Sequence, residues 1–155
     1  MPELPKGRLS SRSEIGVWRS FLRAHAQITR CLEAELLAGQ QMSLGAYDVL
    51  VQLDEAPGHQ LRMAELAEAV LLSRSGVTRL VDRLEQAGLV VRERVDGDGR
   101  GVVAKLTEAG GDRLRIASTT HLVGVARHFA ELLDNGELDL LGDLCERLAA
   151  PRPVR

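Results

Sequence analysis

Two stretches of the sequence gather side chains that could do chemistry. The first is Ser73-Arg74-Ser75-Gly76-Val77-Thr78-Arg79-Leu80-Val81-Asp82-Arg83-Leu84, running on through Glu85 to Gly88. Val77, Leu80, Val81 and Leu84 recur at helical spacing and claim one face. That turns Arg74, Ser75, Thr78, Arg79 and Asp82 outward, with Arg83 beside them. Arg pairs bidentately with guanine, Ser and Thr hydroxyls serve either strand, and a helix N-terminus attracts a phosphate. Gly76 in the first turn costs about 1 kcal/mol relative to Ala. That cost makes sense if the backbone there must approach a partner closely. The same residues also fit a solvated helix face with internal charge pairs, so this stretch leaves both readings open.

The second stretch is Asp96-Gly97-Asp98-Gly99-Arg100, dense in turn-forming residues. A lone Arg at the tip of a loop suits a narrow minor groove, and Asp98 stands two residues before Arg100. Across residues 73–105 there are seven basic residues against five acids, whereas the whole chain carries a formal charge of -2. The sign is that of a basic face on an acidic body. A calcium loop beginning at Asp96 is excluded, because its twelfth position is Thr107 rather than Glu and Lys105 lies inside it.

Other groupings carry less. His121 and His128 stand two helical turns apart, too far to chelate a metal as a pair, so solvated or interface histidines are expected among His25, His59, His121 and His128. Cys31 reads as a buried, inert thiol, and two cysteines are too few for a disulfide scaffold. Trp18 is expected in the core, with the wall of an aromatic-ligand pocket as the sharper alternative. No nucleophile–base pair or acid pair stands out, and Gly97-x-Gly99-x-Gly101 does not open a helix as a nucleotide loop would. No enzyme, cofactor or metal site is expected.

The elements that must position these residues follow from periodicity. Residues 11–40 repeat apolar positions (Ile15, Trp18, Leu22, Ile28, Leu32, Leu36) every three to four residues, with Gly39 suited to the C-terminal cap. About 27 residues at 1.5 Å each make a rod of about 40 Å, too long for one small domain to bury. Ser43 caps a helix from Leu44 to Glu55, which Ala56-Pro57-Gly58 ends. Met63, Leu66, Ala67 and Val70 mark a short helix. Ser73 then caps the helix described above, and Gly88 closes it. Leu89–Val95 and Gly101–Leu106 read as strands of a hairpin. Thr107 caps a long helix from Glu108 to about Leu133. Asp134-Asn135-Gly136 breaks it before a last amphipathic helix from Glu137 to Ala149. The fold class is therefore mainly α with a β-hairpin wing: a winged helix-turn-helix with long terminal helices.

The chain is 155 residues, 45% hydrophobic and 27% charged, which excludes a disordered polymer and suits a single domain over 1–155. Within it, residues 43–107 form the DNA-binding lobe, and residues 11–40 and 108–150 the dimerisation helices. Leucine fills 26 positions while aromatics make up 3%, favouring packed helices over sheets. Eighteen of the 20 basic residues are Arg, which suits phosphate and guanine but follows equally from a coding bias. No apolar run reaches a membrane span, and Met1-Pro2-Glu3-Leu4-Pro5-Lys6 lacks the core of a signal peptide, so a cytoplasmic location is expected.

The run Arg62-Met63-x-Glu65-Leu66-Ala67, then Leu72-Ser73-x-Ser75-x-Val77-Thr78-Arg79-Leu80-Val81-Asp82-Arg83-Leu84-Glu85-x-x-Gly88-Leu89-Val90-x-Arg92, then Asp98-x-Arg100 and Leu106-Thr107-x-x-Gly110 resembles the MarR (multiple antibiotic resistance regulator) family. The resemblance implies a homodimeric winged-helix repressor that binds double-stranded DNA at a pseudo-palindromic operator and answers to a small aromatic or anionic effector. It implies a recognition helix in the major groove, Arg100 in the minor groove and Asp98 holding it. Gly101 departs from the polar residue many relatives carry there. The alternative is a winged-helix protein–protein adaptor without DNA binding, against which the outward Arg74, Arg79 and Arg100 argue.

Overall fold

The computed structural model describes residues 13–70, 74–95, 97 and 101–152, apart from the side chain of Arg74. Helix α1 spans Glu14–Gln40, with the Ser13 hydroxyl accepting from the Gly16 N–H at its start. Helix α2, Leu44–Glu55, is capped by Ser43 in the same way. Strand β1 (Gln60–Arg62) and helix α3 (Met63–Ala69) lead to helix α4, Arg74–Gln86. Strands β2 (Val90–Arg94) and β3 (Val102–Leu106) follow, then helices α5 (Glu108–His128) and α6 (Asn135–Ala149).

The three strands form one antiparallel sheet in the order β1-β3-β2. Leu61 faces Ala104 across the β1–β3 ladder, and Arg92 faces Ala104 across β2–β3. One core joins the lobe to the long helices: Leu36 of α1, Leu50 and Leu53 of α2, Leu66 of α3, Val77 and Val81 of α4, Val90 of β2 and Ala117 of α5 are all buried together. Burial of each such Leu or Val contributes about 1.5–3 kcal/mol before the entropy cost of ordering it.

The entry into α5 locks this core to the hairpin. The Thr107 hydroxyl donates to the Gly88 carbonyl at 2.7 Å and accepts from the Gly110 N–H at 3.0 Å. A methyl at Gly110 would stand 2.1 Å from the Leu89 carbonyl oxygen, so only glycine lets α5 begin there.

Three boundaries and one strand differ from the sequence expectation. Helix α1 runs past Gly39 to Gln40 and is capped by Gln41, which is left-handed (φ 52) with its N–H bonded to the Leu37 carbonyl. The reason is Met42: the chain turns where that side chain drops into the core. Helix α5 stops at His128 rather than about Leu133, and a 3-10 turn, Ala130–Leu132, follows. Asn135 and Gly136 are the first turn of α6, because Asp134 caps it in a reciprocal box with Glu137. Strand β1 carries one apolar residue and no readable period, so the expected two-stranded hairpin is in fact a three-stranded sheet.

Candidate nucleic-acid interface

Helix α4 has a sharply divided surface. Val77, Val81 and Leu84 are buried and Leu80 packs partly against them, as the spacing implies. Ser75, Thr78, Arg79, Asp82 and Arg83 are exposed, and Gly76 is half-buried in the first turn. Arg79 and Arg83, one turn apart on a single stripe, have no ion-pair partner among the described residues. No acid lies in the first turn of the helix. Arg74 is its first residue, with the side chain outside the described set.

Asp82 lies on the outward face, as the spacing implies. Its carboxylate is 2.7 Å from Nη2 of Arg92 on β2, so the acid is engaged within the protein. Gly88 closes α4 in the left-handed conformation expected of a cap (φ 76).

Asp98 and Arg100, expected at the wing tip, lie outside the described residues. The base of the wing is described: the Val95 N–H donates to the Gly101 carbonyl at 2.9 Å. Gly97 takes φ 87, open to glycine and costly to other residues.

The contacts that α5 makes with α1 and α2 include several polar pairs. The Arg113 guanidinium donates to both the side-chain and backbone oxygens of Gln40, whose amide nitrogen donates to Thr120 Oγ1 at 2.8 Å. His128 and Arg127 of α5 both reach Glu35 Oε1, at 2.7 and 3.0 Å. The His128 hydrogen bond, chiefly, holds the Glu35 carboxyl below its ordinary pKa. The His121 ring lies 4.4 Å from the Tyr47 ring, centroid to centroid, with its Nδ1 buried and without a partner among the described residues. Desolvation lowers the His121 pKa, while desolvation raises that of neighbouring Asp48. Neither His121 nor His128 is a solvated side chain. Spacing alone gave no sign of their partners, which come from α1 and α2.

Trp18 is not in the core of this chain. It is 55% exposed and stacks on Phe21, with ring centroids 6.0 Å apart. An open groove of about 410 Å³ runs along the same helix, lined by Gly16, Arg19, Leu22 and Arg23 rather than by Trp18. Cys31 is half-buried and accepts from the Gln27 amide, whereas Cys145 is exposed on α6.

A helix-turn-helix whose second helix feeds directly into a hairpin, with a third strand completing the sheet, is a winged helix. Its relatives give it a family. The MarR family profile matches residues 40–101. The crystal structure of AbsC, a MarR family transcriptional regulator from Streptomyces coelicolor, is 34% identical, with 92% of this chain and 96% of that one covered and a TM-score of 0.81. Sco3205, a MarR family regulator from the same organism solved in complex with DNA, is 32% identical over 89% of this chain and 91% of its own, with a TM-score of 0.82. The HTH-type transcriptional repressor YetL of Bacillus subtilis (strain 168) is 30% identical over 72% of this chain and 69% of its own. The chain belongs to the MarR family of transcriptional regulators. That is a family of regulators and not of enzymes.

Proposed function

We propose that the protein is a repressor that binds a pseudo-palindromic DNA operator as a homodimer, in the cytoplasm. The observation that carries this is the exposed stripe of α4, where Arg79 and Arg83 stand above a buried apolar face without ion-pair partners among the described residues. Arg79, Ser75 and Thr78 read base edges in the major groove, Arg83 and Arg74 meet phosphates, and Gly76 lets the first turn approach the backbone. Arg100, oriented by Asp98, enters the minor groove. Bound at a promoter, the dimer occludes it. The DNA complex of Sco3205 supports the docking by similarity.

Dimerisation rests on what the chain leaves uncovered. Helix α6 buries no residue, and Leu140, Leu144 and Leu148 lie exposed along it, as do Ile15, Trp18, Phe21 and Leu22 on α1. A second copy covers both sets. A small aromatic or anionic effector binding between the lobe and the long helices, near Trp18, shifts the spacing of the two recognition helices. A 100-fold preference for the non-binding state supplies about 2.7 kcal/mol of coupling.

The test is a footprint of the purified protein on DNA flanking its own gene, repeated at two salt concentrations. A protected two-fold repeat with steep salt dependence is expected. Uniform, sequence-independent protection, or none, would leave the adaptor reading in its place.

A further inference from the structure

Helix α4 carries two acids, Asp82 and Glu85, on the element that is to meet a polyanion. Both belong to one stripe with Thr78, at steps of four and three residues, and that stripe runs beside Arg79 and Arg83. One side chain holds the whole stripe. The guanidinium of Arg92, three-quarters buried on β2, donates from Nη2 to Asp82 Oδ1 at 2.7 Å and to the Thr78 carbonyl at 3.3 Å, and from Nη1 to Glu85 Oε1 at 3.3 Å. The Arg92 N–H donates to the other Glu85 oxygen at 2.9 Å.

We propose that Arg92 is a positioning residue for DNA binding: it sequesters Asp82 and Glu85 against β2, so that Arg79 and Arg83 stay unpaired and available to DNA. Without it, Asp82 is free to pair with Arg79, three residues back on the same helix, and to repel the approaching phosphates. The planar fork of Arg matters here, because one group satisfies two carboxylates and a carbonyl at once. The same contact ties the first strand of the wing to the recognition helix. This inference rests on the reading of α4 as the DNA-binding helix.

The test is a double-mutant cycle in the full chain, read as Kd for a fluorescein-labelled 40-base-pair mixed-sequence duplex at low salt. The variants are Arg92→Met, Asp82→Asn/Glu85→Gln, and the three substitutions combined. Arg92→Met should weaken binding at least tenfold. Removing the acids adds favourable charge in either background, so the diagnostic quantity is the difference. The gain should be at least fivefold larger when Arg92 is absent than when it is present. Equal gains in the two backgrounds would overturn the proposal, since a merely structural Arg92 gives no such coupling. Should Arg92→Met not fold, Arg92→Lys takes its place in the cycle, with the same coupling expected at smaller size and its absence equally decisive. Failure of the wild-type protein to bind any duplex would instead overturn the DNA-binding reading itself, and the inference with it.

Discussion

Helices α4 and α6 are similar in length and both amphipathic, yet they solve opposite problems. Helix α4 buries its apolar residues under its own chain and leaves a polar, arginine-bearing face exposed. Helix α6 has no buried residue, and Leu140, Leu144 and Leu148 lie exposed along it among polar and charged side chains. An apolar face without a cover has no stabilising role in a lone chain, because the hydrophobic gain requires removal from water. The lobe covers its apolar face within one chain, whereas the dimer proposed above would cover the exposed apolar faces of α1 and α6. Substitutions on the two helices should therefore separate assembly from recognition.

The largest effect belongs to assembly. Leu140→Glu/Leu144→Glu replaces two exposed leucines, so it should leave the lobe folded while abolishing the dimer, measured as mass by light scattering. Loss of the second half-site should lower operator affinity by a factor on the order of 10²–10⁴. Deleting residues 137–155 should do the same or cause aggregation. A variant that stays dimeric and binds normally would show that α6 is not part of the interface.

Next in size is the seam that joins the two regions. Gly110→Ala places a methyl on the Leu89 carbonyl, a backbone atom that cannot step aside as a side-chain tip could. A loss of about 1–3 kcal/mol of stability is expected from denaturant titration. A variant as stable as the parent would mean that the start of α5 can slide along the hairpin.

Within the recognition region, Arg79 and the wing should differ in kind. Arg79→Ala should cost about 1–3 kcal/mol per half-site and relax preference at one or two base pairs. Arg100→Ala should weaken binding to all sequences and flatten the salt slope, with Asp98→Ala a milder copy. Titrations on a matched and a scrambled duplex at two salt concentrations distinguish these. If Arg100→Ala changes base preference and Arg79→Ala does not, the placement of helix and wing is reversed.

What was legible in the sequence follows the same division. The caps Ser43 and Thr107, the Gly88 stop and the buried face of α4 are local events, set by residues within a few positions of one another. They could be read from spacing. Strand β1 exists because Leu61 meets Ala104, a contact across more than forty residues that no local period records. The engagement of Asp82 by Arg92 and the contact of the His121 ring with Tyr47 are likewise contacts between elements. Trp18 was misplaced for a related reason. An apolar residue at helical spacing marks a face to be covered, and the pattern does not say whether its own chain or another covers it.

The smallest expected effect lies at the contact between α2 and α5, where the two regions meet inside one chain. The His121 ring is desolvated against Tyr47 and its Nδ1 has no partner among the described residues, so the folded state disfavours the protonated ring. Its folded pKa lies below the ordinary 6.5. As pH falls, the unfolded chain therefore takes up this proton first. The stability that the neutral ring preserves is complete above about 6.5 and is lost as pH drops through the depressed folded value. Asp48 answers in the opposite sense and in a lower window, because its raised carboxyl pKa makes the charged form the costly one above the ordinary 3.8. Between about pH 7.5 and 5.5 the His121 contribution falls. The parent should lose about 2 °C more in Tm across that interval than His121→Gln, which cannot take up the proton. Superimposable curves would show that the ring is solvated in solution, and that α2 and α5 are not packed tightly enough there for the junction to sense a proton.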